Sequence, residues 1–230
     1  MRRVDLGLGT FHHVLNRGSR GMDIVRDNTD RWNFVRSLFF QNDMFICRNW
    51  KREVGQSHKG VFHRPDYWPQ RKPLVSIVGF CLLNNHFHLL IKEISSGGLS
   101  KFMQRLPNSM SLQFNKKYGG RGSIFQGSYQ SRLIESDADL RNIAFYIVVK
   151  NTFERYENGG INGALKNFED AWQWAINDPF SSFADYVEER SSPILQKEAL
   201  EDFRFDKKEV CQYLEHWQEK KKLITALTLE

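Results

Sequence analysis

Residues 75–92, VSIVGFCLLNNHFHLLIK, decide how the rest of the chain is read. Two apolar runs meet at Asn84-Asn85. Asparagine tolerates positive φ, so the pair suits a tight connection between antiparallel strands. Alternate side chains of a strand share a face. His86 and His88 therefore project together, while Phe87, Leu89 and Ile91 project to the opposite side. Two imidazoles on one face are a natural pair of metal ligands. A half-exposed strand start gives the same pattern, so His-x-His alone assigns nothing.

The chain has 230 residues, enough for one sizeable domain with an extension or for two small ones. Its balance is basic, 33 Lys+Arg against 27 Asp+Glu for a net charge of +6, and 13% of its residues are aromatic. Basic and aromatic-rich composition points toward nucleic acid. The three cysteines, Cys47, Cys81 and Cys211, form no CxxC pair, which argues against a zinc ribbon or a disulfide framework and fits a reducing compartment. No apolar run approaches membrane-spanning length, and the N-terminus carries no apolar signal region. The expectation is a cytoplasmic protein.

Phe11 to Arg17 reads as a first strand ending at Gly18. His12 and His13 are adjacent, so one of them faces each side. Asp30 to Phe40 has a helical stripe of Phe34, Val35, Leu38 and Phe39, with Asn28 or Thr29 as its cap. The stretch 46–73 interleaves Arg48, Lys51, Arg52, Arg64 and Arg71 with Trp50, Phe62, Tyr67 and Trp68. Such a mixture suits phosphate contacts with base stacking, and equally suits a solvated loop pinned by its aromatics. Ser100 is placed to cap a helix that Pro107 is expected to kink or divide. Residues 121–132, RGSIFQGSYQSR, read as a phosphate-contacting loop. Ser136 and Asp139 form a variant capping box, and Leu140, Ile143, Ala144 and Ile147 give the following helix its buried stripe. Tyr146 falls outside that stripe, with Asn142 and Lys150. After residue 157 the pattern is helical, ending in an amphipathic stretch from Lys207 to Lys222.

Together HHVLNRG, GFCLLNNHFHLLI, LSKFMQRLPNSMSLQFNKKYGGRGSIFQG and ESDADLRNIAFYI span most of residues 11 to 152. In order and spacing the chain resembles the single-tyrosine transposases of the HUH endonuclease superfamily, most closely their REP-associated branch. WQWAINDPFSSFADYV resembles that branch's C-terminal part. The resemblance implies an α+β fold: a ferredoxin-like antiparallel sheet with flanking helices, over residues 1–157, followed by a helical C-terminal extension over 158–230.

The same resemblance implies a metal-dependent endonuclease and strand transferase acting on single-stranded DNA beside a hairpin. Its nucleophile maps onto Tyr146, its metal pair onto His86 and His88, and its expected ion is Mg²⁺ or Mn²⁺. The partner implied is DNA with a palindromic hairpin, the assembly a homodimer, and the location the nucleoid. Where the family commonly reads Asn-Pro after the tyrosine, this chain has Asn151-Thr152, displaced by one. Asn151 is the expected third ligand, although an ideal helix rotates it roughly 140° from Tyr146. Lys150 stands four residues after Tyr146 and is expected to aid the phenolate or the phosphate. Arg17, Arg121, Gln126, Arg132, Arg48, Arg52 and Trp68 are the expected nucleic-acid contacts. Three other readings remain open on the residues: a non-catalytic hairpin-binding protein on this fold, an RNA-binding protein, and a metal hydrolase of unrelated fold.

Overall fold

The computed structural model describes residues 7–47, 49–55, 60–196 and 204–227, with side chains as far as 221. Arg48 lies outside the described residues. Strands β1 (Phe11–Arg17), β2 (Val75–Leu82), β3 (His86–Glu93) and β4 (Gln130–Ile134) form one sheet in the order β2-β3-β1-β4. Every pair of neighbours is antiparallel. Helix α1 (Asn28–Phe40) links β1 to β2, and α3 (Gly98–Tyr118) links β3 to β4. This is the ferredoxin-like arrangement.

Alternation along the strands sorts the core into two halves. Val14, Phe80, Phe87, Leu89 and Ile91 face α1 and α3, where they meet Phe34, Leu38, Phe102 and Leu106. Val78, Cys81 and Leu90 lie in a second cluster with Leu140, Ala144, Ile147 and Val148 of the tyrosine segment. Residues of the C-terminal section, among them Ala175, Phe183, Tyr186, Val210 and Leu214, belong to that same cluster. Both sheet faces are therefore covered.

Three local expectations are corrected. Helix α1 is capped by Asp27, whose carboxylate accepts from the Asp30 N–H at 3.0 Å, and not by Asn28 or Thr29. An anionic cap on the exposed N–H groups is favoured there. Helix α3 begins at Gly98, ahead of Ser100, after Gly97 in the left-handed region. A Cβ at Gly98 would stand 2.1 Å from the Leu74 carbonyl oxygen, so only glycine permits this close start. Pro107 does not divide α3, which runs unbroken to Tyr118. Its missing N–H removes one backbone bond, but Phe102, Met103 and Leu106 before it and Met110 after it are anchored in one core.

The stretch 46–73 holds a short helix, α2 (Trp50–Gly55). Three of its aromatics turn inward: Trp50 stacks on Phe40, Phe62 meets Phe39, and Trp68 packs against Phe40 and Phe45, while Tyr67 stays exposed.

Helix α4 (Asp137–Ala144) is capped by Ser136 as expected, then widens into a π-helical turn, Phe145–Lys150, before α5 (Asn151–Glu154). Helices α6 (Gly160–Lys166), α7 (Phe168–Ile176), α8 (Phe183–Tyr186) and α9 (Lys207–Leu227) follow. Residues 180–182 also protect the outer edge of β2. Phe180 and Ser182 exchange backbone bonds with Leu82 and Phe80, and the Tyr186 hydroxyl bonds the Val78 carbonyl at the β-bulge. No helix among the described residues is long and apolar enough to cross a membrane.

Candidate active site

The register of the sheet builds the site. Arg17 pairs with His86, Leu15 with His88, and His13 with Leu90 across β1 and β3. Directly paired residues share a face, so His13, Arg17, His86 and His88 project together, toward the tyrosine segment. Gln126 donates its backbone N–H to the Arg17 carbonyl at 2.9 Å, which lays the FQG loop over the end of β1. The result is a cleft of about 450 Å³ lined by Leu15, Arg17, His86, His88, Gln126, Gln130 and Tyr146.

The ring of Tyr146 lies 5.5 Å from that of His88 and 6.0 Å from that of His13. The two strand histidines are 5.0 Å apart. Each is held through Nδ1. The Asn85 amide donates to the Gly21 carbonyl, so its Oδ1 is turned to His86 Nδ1 at 2.6 Å. His86 Nδ1 must then carry the proton, leaving Nε2 with its lone pair. His88 Nδ1 is bonded to His13 Nε2 at 2.8 Å. Its Nε2 has no protein hydrogen-bond partner among the described residues.

Burial keeps these imidazoles neutral. His88, 4% exposed, is pushed down to about 2, first by burial and then by His13 and His86. His86 falls to about 4 through burial and the charge of Arg17, and His13 to about 4 through burial and Arg132. A neutral ring can bind a metal without first losing a proton. The Tyr146 phenol moves the other way: burial and then the Glu154 carboxylate raise it, against a lowering by Arg17. It is therefore protonated in the free protein at neutral pH.

Lys150 is 8% exposed and pairs with Glu154 at 2.7 Å. Its ammonium stands 5.2 Å from the Tyr146 ring and 5.3 Å from the Trp217 ring. Trp217 of α9 in turn lies 5.7 Å from Tyr146. The π turn alters the expected rotation of Asn151, because its N–H bonds the Tyr146 carbonyl five residues back. A turn that inserts one residue carries position i+5 toward the place of i+4, so the 140° offset of an ideal helix does not apply. Asn151 is 1% exposed, and neither atom of its amide has a hydrogen-bond partner.

The other expected contacts divide. Arg17 and Gln126 line the cleft. Arg132 is paired with His13 across β1 and β4 and forms an ion pair with Asp139. Arg121 is exposed in the loop between α3 and β4, outside the cleft lining. Arg52 sits on α2, whose Trp50 and Val54 belong to the core on the opposite side of the sheet, and Trp68 packs against that same core. Trp68 also donates to Glu53, so its indole is engaged within the protein. Of the adjacent pair His12 and His13, either of which could approach a site from the sequence, it is His13 that meets Tyr146, and Glu154 and Trp217 join it without any expectation from the sequence. The strand alternation holds the signal for His13, because it precedes Arg17 at even spacing. Glu154 and Trp217 carried none.

Among the described residues no cluster of three or more His, Cys, Asp or Glu is placed to hold a metal. The two free Nε2 atoms fit an ion that accepts nitrogen donors. The Asn151 amide is unpartnered, but Asn151 is not among the residues that line the cleft.

Comparison with curated proteins gives no match. A solved structure described as a REP-associated tyrosine transposase bound to a REP hairpin is 16% identical, covers 85% of this chain and 89% of its own, and has a TM-score of 0.41. Residues 69–150, the segment that carries β2, both strand histidines, Tyr146 and Lys150, match the family described as IS200-like transposases.

Proposed function

We propose that the protein is a metal-dependent endonuclease and strand transferase for single-stranded DNA beside a hairpin, working through a 5′-phosphotyrosine. The observation that carries this reading is the meeting of Tyr146 with His88 and His13 within one chain, beside a cleft that also holds Arg17. The IS200-like family match over the same segment supports it.

His86 and His88 would hold the ion through Nε2; Mn²⁺ suits imidazole better than Mg²⁺ does. When bound, such an ion neutralises charge on a non-bridging phosphate oxygen. Arg17 binds the phosphate and lowers the phenol's proton affinity. Lys150 adds positive charge at the ring of Tyr146. The Tyr146 oxygen attacks phosphorus and loses its proton, the P–O3′ bond breaks, and the 3′ oxygen leaves as a hydroxyl. One phosphodiester replaces another, so reversal by a 3′-hydroxyl rejoins strands without ATP. The same site without turnover would make a hairpin-binding protein. Incubation with hairpin-flanked single-stranded DNA and Mn²⁺ separates the two: a protein-linked DNA band supports the enzyme, and tight binding with no band supports the binding protein.

A further inference from the structure

The β2–β3 turn that leads into His86 also lines a second cavity, of about 900 Å³. Two residues tie it to the catalytic cleft. Asn85 lines it and holds His86 Nδ1, and Glu154 lines it and pairs with Lys150. Arg31 of α1 is the cation of interest here. Its guanidinium lies 5.6 Å from the Phe180 ring, and its Nη2 donates to Asn84 Oδ1 at 2.6 Å. Its Nη1 is buried with no acceptor, a cost that a bound ligand would relieve. Arg155, the other cation of the cavity, is already matched by Asp178. Two exposed carboxylates, Asp23 and Glu157, line the same cavity. Neither has an ion-pair or hydrogen-bond partner among the described residues. Half-buried Trp174 of α7 supplies an aromatic wall.

We propose that this cavity is a guanine subsite, which takes one unpaired guanine of the single-stranded DNA that enters the catalytic cleft. Two unmatched carboxylates repel a phosphate, so the occupant is a base and not the backbone. Guanine presents N7 and O6 together as acceptors, for Arg31 Nη1 and the second hydrogen of Nη2. Its N1–H and N2 amine are donors, for Asp23 or Glu157, and its ring can lie against Trp174. Adenine would set its N6 amine against the Arg31 donors, and cytosine and thymine lack the N7–O6 pair. The inference rests on the reading that single-stranded DNA is the ligand.

The test selects bound DNA from a stem-loop pool with randomised single-stranded flanks, in a Tyr146→Phe background so that no adduct forms. One flank position should be enriched in guanine over adenine about tenfold or more. Adding Arg31→Gln should remove that enrichment. 7-Deazaguanine at the enriched position lacks N7, and should weaken binding about fivefold or more with Arg31 present and not at all with Arg31→Gln. Asp23→Ala with Glu157→Ala, both at exposed positions, carries the test if Arg31→Gln is poorly folded, and should cut the enrichment to below about threefold. Guanosine monophosphate alone should bind far more weakly than the flanked stem-loop. No enriched guanine, or an enrichment kept by both sets of variants, would overturn the proposal. Guanosine monophosphate binding as tightly as the stem-loop would place a free nucleotide in the cavity and overturn the DNA assignment. Adduct formation by the wild type is scored separately. Adducts without guanine preference defeat only this inference, and guanine preference without adducts defeats only the catalytic reading.

Discussion

The ring of Tyr146 stands edge-on to the ring of His88, with 5.5 Å between centroids and 90° between planes. One residue comes from the π turn after α4 and the other from the middle of the sheet. Phenol and imidazole thus meet within a single chain, and no second copy is needed to bring them together.

Lys150 is the first group to probe beside the tyrosine. Its charge is placed against the Tyr146 ring and is balanced by Glu154. Lys150→Met preserves the stem and removes the charge. Strand cleavage is expected to fall by about 10²-fold, while hairpin affinity changes less than threefold by order of magnitude. Single-turnover cleavage and a gel-shift titration on the same DNA separate the two. Equal loss of both would mean that Lys150 serves binding or folding instead.

On the proposed mechanism, His13 would act as a positioning residue for His88. It touches His88 Nδ1 and lies on the far side from the free Nε2. Removing such an outer partner typically costs 10–100-fold in metal affinity. His13→Ala should weaken Mn²⁺ binding by about that factor, read by direct Mn²⁺ titration in the absence of DNA. His86→Ala with His88→Ala should abolish both Mn²⁺ binding and metal-dependent cleavage. Cleavage that persists in EDTA would contradict the assignment.

The C-terminal section is fastened by a buried ion pair. Asp178 accepts from both terminal nitrogens of Arg155, at 2.8 and 3.0 Å, and its side chain is 4% exposed. Asp178→Ala leaves the guanidinium unpaired, a loss of about 3–5 kcal/mol. At about 2–4 °C per kcal/mol for a chain of this size, Tm should drop on the order of 10 °C. A drop under about 2 °C in a thermal melt would show that Arg155 finds another partner or water.

What the sequence disclosed, and what it hid, follows from range. The hairpin at Asn84-Asn85, the shared face of His86 and His88, and the Ser136 cap are local, set by alternation and by side chains within three residues of the backbone they serve. The sequence does not single out Asp27 as the cap, because Asn28 and Thr29 are comparable capping types and only the backbone angles choose among them. The π turn is invisible in the sequence because helical propensity does not encode an inserted residue, so an α-helical wheel misplaces Asn151. Glu154 and Trp217 entered the site through tertiary packing, which the chain order does not reveal. The aromatics of 46–73 have two readings in the sequence; in the structure Trp50 lies in the core, Phe62 and Trp68 pack against it, and Tyr67 stays exposed.

The proposed chemistry stands or falls on a bond between the Tyr146 oxygen and DNA. The most direct measurement is a denaturing gel of wild-type and Tyr146→Phe protein after incubation with labelled hairpin-flanked single-stranded DNA and Mn²⁺, with the adduct site read by peptide mass. A labelled band whose DNA sits on Tyr146, absent from the Phe variant although that variant still binds the hairpin, is the predicted result. A band that survives in Tyr146→Phe, or one mapped to Tyr129, would contradict it.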